Sequence, residues 1–305
     1  MHSHEEIIQK LGIQFEISET ERDSSFSKWP RVISVCSGKG GVGKTNVIGN
    51  LAFAFTQLQK KVLLLDANLG LANIDVLLGL TPNYTIEHFF AGEKSLSDIM
   101  MKGPGGMSVL PASSGFPELA ALNENQKILL LDEIHLLAEP SDILLIDTGP
   151  GISSNVLFFN MAAQESIVLV TPEPTSIISA YALMKALAKK YQKRNFMILV
   201  NQVSNARKGR KVFKHISNLI DCLLANLSID YLGFIPSDPK LLSTVKKQQL
   251  VLEVHPQAPS SRSFRKIAKI LATKPPRRGL NENIQFFHNT NSSISQSSLT
   301  KEGIN

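Results

Sequence analysis

The chain has 305 residues, 43% of them hydrophobic, and a formal net charge of +6. That is enough apolar content for a full core, and single α/β domains routinely reach about 200–250 residues, so one globular domain with loose ends is expected. No run of about 18 or more apolar residues offers a membrane span, Met1–Glu6 lack the pattern of a secretory signal, and Cys36 and Cys222 make neither a disulfide framework nor a Cys-x-x-Cys metal site, so a cytoplasmic protein is expected.

Residues 1–29 are polar, with a weak helical pattern at Ile7, Ile8 and Leu11, and carry too little apolar surface to offset ordering entropy; they read as an arm or linker. After Pro30, short β-rich runs alternate with longer helical patterns. The runs are Val32–Val35, Val62–Leu65, Ile143–Ile146, Ile167–Val170, Met197–Val200 and Tyr231–Ile235. Near-continuous apolar runs fit strands covered on both faces. Helices such as Thr175–Gln192 and Lys208–Leu224 fall between them. The alternation predicts an α/β fold, a doubly wound, mostly parallel sheet with helices on both faces. Helical patterning ends near Ala272 and Pro275-Pro276 stops it, so the working domain is 30–272 and 273–305 is a tail. Basic clusters at Lys189–Arg194, Arg207–Lys211, Lys246-Lys247 and Arg262–Arg278 suit DNA, anionic lipid or an acidic partner, or are solvated helix surface.

The chemistry concentrates at Gly38-Lys39-Gly40-Gly41-Val42-Gly43-Lys44-Thr45, directly after a strand and before a helix. This is the P-loop pattern. Its glycines let backbone N–H groups turn toward phosphate oxygens at the positive end of the following helix. Lys44 then reaches the β- and γ-phosphates of ATP, and Thr45 sets its hydroxyl on Mg²⁺. Such sites need a carboxylate from a neighbouring strand to hold the metal. Asp147, followed by Thr148-Gly149-Pro150-Gly151, is that candidate, and Asp66 is the other. The plainer alternative for either aspartate is a helix N-cap. Asn201 ends an apolar run, where open α/β sheets bind ligands, and reads alternatively as a turn residue.

Lys39 is a second lysine inside the loop, free to fold onto its own phosphates or to point outward. The string Lys39–Thr45 resembles the deviant Walker A box of the MinD/ParA ATPases, in which the first lysine crosses to the partner's nucleotide in an ATP-sandwich dimer. The segment Asp66–Gly79 is similar to switch I of the FlhG branch, Asp147–Ile152 to its switch II, and Thr171–Ser176 with Ala180–Leu183 and Ala258–Arg265 to further parts of it. The resemblance implies an ATP-dependent homodimer with Lys39 as an intermolecular contact, Asn201 bonded to adenine and Pro236 against the base. It also implies flagellar partners: an FlhF-like GTPase, C-ring components or a flagellar transcription activator.

The family usually carries Asp-x-Asp in switch I, and here the second position is Asn68. An amide can accept a hydrogen bond from water but cannot take its proton, so slow hydrolysis is expected rather than none. The Asp-Gln-Ala motif with which many FlhG proteins stimulate FlhF does not occur in residues 1–29. At the other end Leu280, Ile284 and Phe287 share one helical face, with Arg277 and Arg278 upstream, which suits a short amphipathic contact with an anionic membrane over 277–287. Two other functions compete with a flagellar ATPase. One is a ParA/MinD-type partition or division-site ATPase, for which DNA would be the partner. The other is a non-hydrolysing ATP-binding adapter. A metabolic P-loop enzyme would need a small-substrate site that no motif supplies.

Overall fold

The computed structural model describes residues 30–112, 117–138, 140–224 and 226–275. The readings of residues 1–29 and of the 277–287 segment therefore lie outside the described residues. Eight strands form one sheet in the order β3-β4-β2-β5-β1-β6-β7-β8: β1 Arg31–Ser37, β2 Val62–Ala67, β3 Met101–Lys102, β4 Ser108–Leu110, β5 Ile143–Pro150, β6 Glu165–Val170, β7 Asn195–Val203 and β8 Ser228–Pro236. Every pairing is parallel except that of β3 with β4. All six apolar runs named above are strands of this sheet. The structure adds β3 and β4, an edge pair too short to show as an apolar run.

The helices are α1 Lys44–Gln57, α2 Ile74–Leu78, α3 Ile86–Phe90, α4 Leu96–Ile99, α5 Glu124–Ala138, α6 Ser154–Ala162, α7 Pro174–Tyr191, α8 Ala206–Leu223, α9 Pro239–Lys246, α10 Val251–Val254 and α11 Pro259–Thr273. They cover both faces, as parallel strands buried on both sides require. On one face Ile48, Leu51 and Phe55 of α1 and Phe264 of α11 pack over Ile33, Leu64 and Leu145. On the other, Leu130 and Ile134 of α5 meet Leu63, Leu65 and Leu144, while Leu183 of α7 and Ile216 of α8 cover Val168 and Ile198. No described helix is long and apolar enough to cross a membrane. The central strands β2, β5 and β1 bring their C-terminal ends together, and the loops that leave them form the candidate site.

Candidate functional site

The helix α1 begins without the protection a helix start usually receives. Its N-cap is Gly43, in the left-handed region at φ +91°, with no side-chain cap and no acidic residue in the first turn. The first-turn N–H groups and the positive end of the helix dipole are thus left for an external anion. Gly41, at φ +76°, has open space where a Cβ would stand. Gly38 is the opposite case: a Cβ there would lie 1.9 Å from the Ser179 carbonyl of α7, so only glycine allows that helix to pack against the loop. Val42 buries its side chain and anchors the loop.

Around this cradle the polar side chains are placed in detail. Lys44 is buried and donates to Ser37 Oγ at 3.0 Å, and Ser37 in turn donates to the Lys39 carbonyl at 2.7 Å. Burial lowers the Lys44 pKa, and the charge of Asp147 works against that shift. Asp147 lies within β5, in register with Val35 of β1 and Asp66 of β2. Its carboxylate faces the Thr45 hydroxyl, yet its Oδ1 is buried without any partner. Burial raises its pKa, opposed by the Thr45 hydroxyl and the Lys44 charge. A hydroxyl beside a carboxylate with one buried, unsatisfied oxygen fits Mg²⁺, a cation that takes oxygen ligands.

Asp66 is engaged differently. Its Oδ1 accepts from the Asn68 N–H at 3.0 Å, and its Oδ2 accepts from the N–H groups of Asn73 and Ile74 at 3.0 and 3.1 Å. It therefore caps α2 and ties down the loop that carries Asn68. Burial and the charge of Asp147 raise its pKa against those three bonds. Asn68 donates through Nδ2 to the Leu71 carbonyl, and its Oδ1 would lie 2.8 Å from a Cβ at Gly149. The two switch-like loops touch there. The second is held by the Gly151 N–H, which donates to the Ser37 carbonyl at 2.9 Å.

Lys39 is half-buried and pairs with Glu173, the N-cap of α7, while donating to Thr175 Oγ1 at 3.2 Å. In this state the second lysine is held within its own chain. Asn201 ends near the loop, but its amide donates to the Val42 carbonyl at 2.8 Å and its Oδ1 accepts from the Gln202 N–H. It braces the phosphate loop. Pro236, half-buried, closes β8 opposite Val203 of β7. Cys36 is fully buried, which pushes its thiol up to about 12 and leaves a small inert core residue. Sequence reasoning assigned no role to Ser37, Glu173 or Thr175. The signals were present: a serine directly before the first loop glycine, and Glu-Pro at a helix start.

A family model described as the CobQ/CobB/MinD/ParA nucleotide binding domain matches residues 33–251. The chain is 39% identical over 257 residues to the antiactivator FleN of Pseudomonas aeruginosa, covering 84% of this chain and 91% of that protein. It is 31% identical to the flagellum site-determining protein YlxH of Helicobacter pylori, covering 80% and 82%. Among solved structures, a chain of the MinC:MinD cell division protein complex of Aquifex aeolicus superposes with a TM-score of 0.64 at 28% identity, over 82% of this chain and 99% of that one. The septum site-determining protein MinD of Pyrococcus horikoshii, solved with Mg-ADP, has a TM-score of 0.66 at 22% identity, over 80% and 96%, a likeness of fold.

Proposed function

The chain belongs to the CobQ/CobB/MinD/ParA nucleotide-binding family and resembles its flagellar FlhG branch; from this premise we propose that it is an ATP-hydrolysing switch that closes as a homodimer and sets flagellar number or placement. The observation that carries the nucleotide half is the uncapped start of α1 facing Lys44, beside an Asp147 oxygen that no described group satisfies. Gly38–Thr45 cradle the phosphates of ATP, with Lys44 at the β- and γ-oxygens. Thr45 and Asp147 would hold Mg²⁺, with Asp66 behind them fixing the switch loop. When bound, the metal neutralises charge on the phosphate oxygens. Asn68 orients the attacking water without taking its proton, so turnover is slow. Lys39 leaves Glu173 for the partner's nucleotide as the dimer closes. Asn201 and Pro236 flank the base.

The flagellar half is supported by the similarity to FleN and YlxH, named as an antiactivator and a flagellum site-determining protein respectively. Among the flagellar partners, a transcription activator suits the antiactivator name best, with an FlhF-like GTPase and the C-ring as further candidates. The site of action is the cytoplasm, with residues 277–287 as a contact to the inner face of the membrane. Deleting the gene and counting flagella per cell by electron microscopy tests this: a changed number or position with normal division is expected. Normal flagella with minicells or anucleate cells would overturn it. One observation favours a second reading, a DNA-bound partition ATPase: α8 exposes Arg207, Lys208, Arg210, Lys211 and Lys214. ATP-dependent, salt-sensitive DNA binding would support that reading.

A further inference from the structure

Three parts of the candidate site meet at one residue that carries no charge. Ser37 closes β1, is fully buried, and pairs with Pro150 of β5 just past an irregularity in the β1–β5 register. Its Oγ accepts from Lys44 Nζ at 3.0 Å and donates to the Lys39 carbonyl at 2.7 Å. Its own carbonyl accepts from the Gly151 N–H at 2.9 Å, in the loop that follows Asp147. The buried loop lysine, the backbone of the second lysine and the second switch-like loop are thus all tied to Ser37.

The chemistry of a hydroxyl makes two of these ties interdependent. A serine has one proton to give and two lone pairs to offer. Here the proton is spent on the Lys39 carbonyl. An ammonium bonded to the same oxygen polarises the O–H and strengthens that bond. Take the ammonium away and the grip on the carbonyl weakens. The Lys39 side chain is meanwhile paired with Glu173 and bonded to Thr175 at the start of α7. Lys39 is therefore held twice, its backbone from β1 and its side chain from α7.

We infer that Ser37 is a positioning residue that makes Lys39 answer to Lys44. Without nucleotide, Lys44 rests on the Ser37 hydroxyl and the loop holds Lys39 against Glu173. When phosphate oxygens draw Lys44 off, the hydroxyl loses its charged donor. The Lys39 carbonyl is then held less firmly, and the side chain leaves Glu173 more readily. This coupling rests on the roles proposed above for Lys39 and Lys44 and adds the residue that joins them.

The rate at which an amine-acylating reagent modifies Lys39 in the full chain, followed by mass spectrometry, tests the coupling. Mg-ADP supplies the β-phosphate without the γ-phosphate that the proposed dimer needs, and its binding is measured separately by calorimetry. In the parent chain, saturating Mg-ADP should speed Lys39 acylation about twofold. In Ser37→Ala the rate should be several-fold higher without nucleotide and indifferent to Mg-ADP. Ser37→Thr, which keeps the hydroxyl, should restore the response. Glu173→Gln, at an exposed position, should be fast under both conditions and calibrates the released lysine. A parent-chain rate that ignores bound Mg-ADP would overturn the inference, and so would a folded Ser37→Ala that matches the parent. Should Mg-ADP fail to bind, the nucleotide reading falls, and equal nucleotide-free rates for the parent and Ser37→Ala would overturn the Ser37 role on their own.

Discussion

The two ends of the sheet use the same kinds of polar group and treat them in opposite ways. At the N-terminal edge Arg31 binds both oxygens of Glu165 and the carbonyls of Leu271 and Lys274. Nearby Lys193 donates to the carbonyls of Asn160 and Ala163 at 2.6 and 2.7 Å, and Asp142 accepts from the Lys61 N–H at 2.7 Å. Each of these groups is met by the protein. At the C-terminal edge Asp147 keeps a buried oxygen without a partner, and α1 starts without a cap. Unsatisfied buried polar groups cost stability, about 1–3 kcal/mol each, so they persist where something else is to fill them. One end holds the fold; the other is kept open for a ligand.

Substitutions at the two ends separate these roles. The largest effect is expected from Lys44→Ala, which removes the charge aimed at the β- and γ-phosphates. Phosphate release should fall by about 10³-fold while the urea midpoint moves little. Next comes Glu165→Ala. Glu165 is buried and Arg31 largely so, and breaking the pair leaves an uncompensated guanidinium and should cost about 3 kcal/mol in urea unfolding, with ATP affinity unchanged.

Asp147→Asn should trade function for stability. Burial raises the Asp147 pKa, so the folded chain keeps the proton longer than the unfolded one, and stability falls as pH rises from the ordinary carboxylate value. Asparagine removes that fall. The nucleotide-free variant should gain about 1–2 kcal/mol near pH 7 and almost nothing near pH 4, measured by thermal unfolding at both, while losing Mg²⁺-dependent ATP binding. The smallest effect is expected from Asn68→Asp, which supplies a proton acceptor beside Gly149. Turnover should rise about fivefold, roughly 1 kcal/mol of barrier, without tighter ATP binding.

The same contrast separates what the sequence made legible from what it hid. Strands β1, β2, β5 and β6 are buried on both faces, β7 largely so, and edge strand β8 only in part, and all six announce themselves as apolar runs. Strands β3 and β4, two and three residues long, flank Pro104-Gly105-Gly106 and carry no period to read. The phosphate loop was legible because its chemistry is local: glycines, a lysine and a threonine at fixed spacing. Contacts across the sheet were not. That Glu173 takes up Lys39 and that Asn201 bonds the Val42 carbonyl depend on which loops meet at the strand ends. Spacing alone does not carry that information.

The central claim is that ATP at the phosphate loop closes two copies through Lys39. Sedimentation of the chain with Mg-ATP and with Mg-ADP, alongside Lys39→Ala, tests it most directly. A dimer with ATP, a monomer with ADP, and a variant that binds ATP but stays monomeric are the predicted results. Monomers throughout with ATP bound, or a dimer indifferent to nucleotide and to Lys39, would contradict it.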